Sequence, residues 1–303
     1  MVNSVRVFLK IVLAMVLGFF LVFTVSMIFL MPKNNNHVKQ INSSNISVVF
    51  LGDSLTFGVG DTTGQQGYTG RVIKLLKKTY PQYHFSSANF GKPGDRSDQI
   101  LKRLNKSEKQ QKLLKNADIV VMTAGGNDLR QELMSHFDVK SAAALSNEIK
   151  KNSLKYHHSL NQLFIRIKQI RQRSSLFVFG NYNPAFVNIA SRTDLNKDVQ
   201  LYNAVNQRIV EKQADGHYIS VFRQLTYGQY QRPEQIKKLI QEDKTANATT
   251  ENKFQKSLLD GSSSIKNNFI SQADHFHPNN LGYSYMAKQL FNSILSDKSW
   301  QTK

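Results

Sequence analysis

Four short polar segments carry the residue types that acyl chemistry needs. The first, Gly52-Asp53-Ser54-Leu55, puts a serine directly after the apolar run Ile46 to Leu51. That hydroxyl is a candidate nucleophile, because the free N–H groups of a following helical turn would stabilise developing negative charge. The same serine equally suits a helix cap. The Gly-x-Ser-x-Gly pattern of a nucleophile elbow is absent, since Thr56 takes the place of its second glycine. In the second segment, Gly91 to Ser97, Gly94 can present its backbone N–H where a side chain would obstruct a ligand. Asp95 is expected to cap the helix running through Ile100 and Leu104. The third, Gly125-Gly126-Asn127-Asp128, combines two flexible glycines with an amide that donates N–H bonds. In isolation, each of these two segments reads as an ordinary turn. The fourth is Asp274-His275-Phe276-His277-Pro278-Asn279. Asp274 and His277, three residues apart, can turn back on each other so that the carboxylate bonds Nδ1–H and Nε2 faces a serine. A metal site on Asp274, His275 and His277 is the alternative, disfavoured by the short spacing and the lack of further ligands.

These segments need a scaffold that brings them together. Apolar runs at Ile46 to Leu51, Tyr83 to Asn89, Ile119 to Thr123, Leu176 to Gly180 and Tyr218 to Phe222 read as strands. Most are apolar on both faces, as in a parallel sheet covered on both sides. Helical stripes lie between them: Val72, Ile73, Leu75 and Leu76; then Leu160, Leu163, Phe164, Ile167 and Ile170; then Tyr202, Val205, Ile209 and Val210; and a terminal helix over Leu281 to Leu295. The alternation predicts an α/β fold, a three-layer α/β/α sandwich around a parallel sheet of about five strands. Ligands bind such sheets at the carboxyl ends of the strands, where the segments fall.

With their order and placement, the blocks around Ser54, Gly94, Asn127 and Asp274–His277 resemble the SGNH-hydrolase superfamily, the GDSL lipases/acylhydrolases. The resemblance covers roughly Ser47 to Leu290, apart from an insertion before Asp274. The run GDSLTFGVGD with GDRSDQ and DHFHPN further resembles a bacterial membrane-anchored subgroup. The resemblance implies a flavodoxin-like fold and hydrolysis of esters or thioesters with no metal or other cofactor. It implies that Ser54 attacks the acyl carbonyl, His277 relays the proton and Asp274 orients His277. The oxyanion would be held by the N–H of Ser54, the N–H of Gly94 and the side-chain amide of Asn127. Asp53 and Asp128 are expected to bond local backbone groups. Arg96 stands where many members carry a small hydroxyl residue; it would contact an anionic substrate or pair with an acid. Asn181, Tyr182 and Asn183 follow the fourth strand, and Tyr182 and Asn183 are candidates for substrate contact. His157 and His158, on a helix without a partner pattern, read as surface residues.

Composition sets the surroundings. The 303 residues hold no cysteine, which excludes disulfides, a thiolate nucleophile, Cys-ligated zinc and a lipidated N-terminal cysteine. Apolar residues make up 40%, enough for a sizeable core. The single Trp300, near the C-terminus, is expected to add little to it. The net charge of +19 favours anionic neighbours such as cell-surface polymers or lipids, while no nucleic-acid-binding signature accompanies it.

From Ile11 to Met31 run 21 residues without a charge, after Arg6 and Lys10. About 20 apolar residues span a bilayer, and the flanking cations place the N-terminus in the cytoplasm and the remainder outside. A cleaved signal peptide is the rival, but bulky Thr24 to Met31 offers no small-residue cleavage site. The expected organisation is an anchor over residues 1–31, a polar tether over 32–45, a hydrolase domain over 46–296 and a tail over 297–303. Within the domain, polar residues 229–271 read as a mobile loop or a lid. The leading expectation is an esterase or acylhydrolase at the outer face of the membrane. The alternatives are an O-deacetylase of cell-surface glycan, and a non-catalytic binding protein on a hydrolase fold.

Overall fold

The computed structural model describes residues 45–136, 141–171, 174–246 and 266–301. The anchor and nearly all of the tether lie outside these residues, and among the described residues no helix is long and apolar enough to cross a membrane.

Five parallel strands form one sheet: β1 (Asn45–Gly52), β2 (His84–Gly91), β3 (Ile119–Thr123), β4 (Ser175–Phe179) and β5 (Gly216–Ile219). Their order is β2-β1-β3-β4-β5. This is the flavodoxin-like order, whose switch point lies between β1 and β3. Asn45, expected in the tether, is the first residue of β1 and pairs with His84.

The strands alternate cleanly between two cores because successive side chains point to opposite faces. Val49, Leu51, Val120, Met122 and Val178 pack on one side. Helices α3 (Ser97–Lys106), α4 (Glu108–Lys115), α5 (Gly126–Ser135), α6 (Ala142–Ile170) and α7 (Thr193–Glu211) bury their apolar stripes there. On the other side, Val48, Phe50, Val121, Phe177 and Phe179 meet α2 (Tyr68–Thr79) and α10 (Asn280–Ser296). A one-turn helix α1 (Ser54–Phe57) follows β1, and α8 (Phe222–Tyr227) follows β5.

Several sequence expectations need correction. The fifth strand ends at Ile219, and the apolar Val221 and Phe222 cap and begin α8 instead. An apolar run that straddles a strand end and a helix start has no period to divide it. Arg96, not Asp95, caps α3, with its backbone N–H bonded to Gln99 Oε1 at 2.9 Å. Asp95 pairs with Arg103 at 3.0 Å instead. Trp300 is only 1% exposed. The chain turns back through a 3-10 turn at Ser299–Gln301, and the indole packs on Tyr80, Tyr83 and Phe85. Its Nε1–H donates to the Ile294 carbonyl at 3.2 Å. Within the polar insertion, Pro233–Ala246 forms helix α9, whose Leu239 packs with Phe186, Val187 and Ala190. The segment from 247 to 265 lies outside the described residues.

Candidate active site

Beneath the serine lies a buried polar knot. Asp53 caps α1, its Oδ1 accepting the Leu55 N–H at 3.0 Å and the Thr123 hydroxyl at 2.8 Å. Thr123 also meets the Thr56 hydroxyl at 2.8 Å, and Thr56 meets Tyr68 at 2.8 Å. Burial raises the Asp53 pKa, and these hydrogen bonds oppose the rise. Asp53 thus joins the ends of β1 and β3, which reaches beyond the local bonding expected of it, and fixes the first turn that begins with Ser54.

Ser54, His277 and Asp274 form one chain of hydrogen bonds. Ser54 Oγ lies 2.8 Å from His277 Nε2, and His277 Nδ1 lies 2.6 Å from Asp274 Oδ2. An ionised carboxylate only accepts, so Nδ1 carries the proton and Nε2 accepts from the serine. Asp274 Oδ1 also accepts the N–H groups of Phe276 and His277, each at 3.0 Å. Partial burial pushes the Asp274 pKa up, but the bonds from the His277 ring and the two N–H groups outweigh it and bring the pKa down to about 2.

The loop carrying this pair is tightly braced. His275 adopts φ +53°, an uncommon conformation for a non-glycine residue. Its N–H bonds the Ser271 carbonyl at 2.9 Å, and the Ser271 N–H bonds the His277 carbonyl at 2.8 Å. Tyr182 Oη donates to the Phe276 carbonyl at 2.8 Å. On the serine side, Arg71 bonds Asp61 at 2.9 Å and Asn280 Oδ1 at 3.1 Å, joining the loop after α1 to the start of α10.

Two further blocks reach the same edge. Gly94 has φ +84°, a left-handed conformation that favours glycine, and an added Cβ would point into open space. Backbone geometry therefore calls for this glycine, not crowding. Gly125 has φ +104°, and a Cβ there would collide with the Tyr156 hydroxyl. Asn127 stands in the first turn of α5 and donates one amide N–H to the Asp95 carbonyl at 3.1 Å. The second amide hydrogen remains for another acceptor. Asp128 accepts from the Ser97 N–H at 3.0 Å and the Ser97 hydroxyl at 2.6 Å. It therefore ties α5 to α3 rather than to local backbone, and burial raises its pKa to about 6.

A cleft opens beside Ser54, enclosing about 700 Å³ including its open mouth. Asn127, Asn181, Tyr182, Asn183 and Phe276 line it with Leu129, Arg130, Leu133, Pro184, Leu195 and Val199. The polar atoms of Asn183 face the protein: its Oδ1 accepts the Ala185 N–H and its amide donates to Asn196. Arg96 does not line the cleft; it bonds Asp98 at 2.9 Å and Gln131 at 2.5 Å. Arg130 drew no notice in the sequence, although it follows Asn127 by three residues on a helix and so shares its face. His157 and His158 are exposed on α6. Among the described residues no cluster of three or more potential metal ligands occurs.

Comparison with known proteins agrees with this architecture. The uncharacterized protein YpmR of Bacillus subtilis (strain 168) is 29% identical over 249 residues, covering 82% of this chain and 81% of its own length. In fold, the chain is similar to a lipase from a goat rumen metagenome, with a TM-score of 0.56, 20% identity, and coverage of 82% of this chain and 97% of that one. It is also similar to an acetylxylan esterase from Geobacillus stearothermophilus, with a TM-score of 0.52, 15% identity, and coverage of 82% and 94%. The sequence profile of the GDSL-like lipase/acylhydrolase family matches residues 50–285, most of the chain. A sheet of flavodoxin-like order with a Ser–His–Asp chain at its carboxyl edge, within that match, makes this protein an ester-bond hydrolase that belongs to the GDSL-like lipase/acylhydrolase family.

Proposed function

We propose that this hydrolase cleaves carboxylic esters or thioesters of lipid or small acyl substrates through an acyl-enzyme on Ser54, at the outer face of the membrane. The observation that carries the reading is the unbroken hydrogen-bond chain from Asp274 through His277 to Ser54 at the mouth of a largely apolar cleft. Ser54 Oγ attacks the acyl carbonyl while its proton passes to His277 Nε2. The oxyanion takes hydrogen bonds from the N–H of Ser54, the N–H of Gly94 and the free amide hydrogen of Asn127. One such donor contributes about 2.7–4 kcal/mol to the transition state. As the intermediate collapses, the carbonyl carbon–leaving-group bond breaks and His277 gives the proton to the departing alcohol or thiol. Water then attacks the acyl-serine with His277 as base, releasing the acid and restoring Ser54. Asp274, held ionised, keeps Nδ1 protonated and stabilises the imidazolium. Tyr182 serves as a positioning residue, through its bond to the Phe276 carbonyl.

A fluorophosphonate probe tests the assignment. Wild type should be labelled and Ser54→Ala should not; unlabelled wild type, or undiminished labelling of Ser54→Ala, overturns it. Leu129, Leu133, Leu195 and Val199 make the cleft suited to an acyl chain longer than acetyl. The fold-level likeness to an acetylxylan esterase favours a second reading, O-deacetylation of a surface glycan. Aryl esters of increasing chain length, run beside acetylated glycans, separate the two. The uncharged run Ile11 to Met31 behind Arg6 and Lys10 supports an anchor with the domain outside, as in a membrane-anchored subgroup. Recovery of the full chain in the membrane fraction, with the domain open to protease added outside, is the expected result.

A further inference from the structure

Among the described residues, one cation faces the largely apolar cleft. Arg130 lines it, half-buried, one helical turn beyond Asn127 on the same face of α5. Three residues of helix rise about 4.5 Å, so its backbone stands close to that of the proposed oxyanion donor. The guanidinium carbon lies 5.5 Å from the ring centroid of Phe276, the residue before His277. Placed over that ring, the guanidinium keeps N–H donors for another partner. Among the described residues no carboxylate pairs with it. Two carboxylates of the site have other partners: Asp53 bonds Thr123 and the Leu55 N–H, and Asp274 bonds His277. Arg96, the arginine that stands out in the sequence, is held by Asp98 and Gln131 away from the cleft.

We propose that Arg130 receives an anionic group that the substrate carries close to its scissile ester, a phosphate or a carboxylate, and so selects acidic acyl esters. A charge-assisted, edge-on contact suits either oxyanion. The inference rests on Ser54 being the nucleophile of this cleft, and it names the substrate class that site prefers. It makes Arg130 a specificity determinant beside the reacting atoms.

The test uses the full chain in detergent and matched dodecanoyl esters. One arm compares the ester of glycerol with that of glycerol phosphate; the other compares the ester of methyl lactate with that of lactate. Wild type should show a kcat/KM ratio favouring the acidic member by about tenfold in at least one arm, and the favoured arm identifies phosphate or carboxylate. Arg130→Gln should bring that ratio close to one, and Arg130→Lys should restore part of it. In wild type alone, the ratio should fall as salt screens the contact, which needs no variant to fold. A wild-type ratio near one in both arms, or a ratio unchanged in Arg130→Gln, overturns the proposal. Ser54→Ala keeps the two readings apart. Loss of turnover on every ester with an unaltered Arg130→Gln ratio refutes only the role of Arg130, whereas persistent turnover refutes the Ser54 assignment beneath it.

Discussion

Asp274 is the residue on which the proposed proton relay turns. It takes one bond from the His277 ring and two from backbone N–H groups, and its pKa falls to about 2. The folded value lies below the ordinary 3.8, so the stability that these bonds contribute is present above that value and is lost as pH falls toward 2. Any loss of activity at milder acidity therefore does not report protonation of Asp274. Asp274→Asn keeps the shape but accepts fewer bonds and no longer holds His277 with Nδ1 protonated. By analogy with the aspartate of serine-protease triads, kcat should fall about 10⁴-fold with KM little changed. Steady-state kinetics on an aryl ester check this, and a loss below tenfold would deny Asp274 its role. The pairing itself was legible in the sequence, because Asp and His three residues apart in a loop have few other ways to meet. What Tyr182 does was not legible: its hydroxyl bonds a carbonyl 94 residues away, and no local spacing announces such a contact.

At the level of elements, the site depends on how α3 and α5 begin. Asp128 in the first turn of α5 takes both donors of Ser97, the first residue of α3. Burial raises its pKa from 3.8 to about 6. Between these values the folded chain holds a proton that the unfolded chain has released, so stability should decline as pH rises across that window. Asp128→Asn should flatten this part of the stability–pH curve, measured by urea unfolding at several pH values; an unchanged slope would assign it to other groups. Helix α9 makes a second element-scale link. Its Asp243 accepts from the Ser191 N–H at 2.9 Å and from the Ser191 hydroxyl at 2.5 Å, while Leu239 packs on Phe186 and Val187. The segment so braced begins beside Pro184 and Tyr182, which line the cleft. Asp243→Ala should raise amide hydrogen exchange over residues 184–192 well before global unfolding. Unaltered protection there would show that the brace is not needed. A polar composition hid this helix, because only a few apolar residues such as Ile236, Leu239 and Ile240 form its stripe.

At the scale of the whole molecule, the sheet separates the proposed chemistry from reinforcement. Ser54, Asn127 and Asn181 follow the carboxyl ends of β1, β3 and β4. Trp300 lies toward the opposite edge, against Phe85 near the start of β2, while neighbouring Ser299 bonds Ser175 at the first residue of β4. The strand pattern made this sheet readable from sequence, and with it the carboxyl edge on which the four blocks fall, since a doubly covered parallel strand leaves a continuous apolar run. The indole's place was not readable: seven residues past the domain's expected end carry no periodicity, and long-range packing alone decides where they dock. The two edges should respond independently to mutation. Trp300→Ala removes one of the largest fully buried side chains, and such truncations cost about 3–5 kcal/mol. A domain of ordinary stability, about 5–15 kcal/mol, survives that loss at low temperature. The urea midpoint followed by circular dichroism should drop substantially, while kcat/KM per folded molecule stays at the wild-type value. A fall in kcat/KM parallel to the loss of stability, measured where the variant is fully folded, would mean that packing at the amino edge sets the geometry around Ser54 after all.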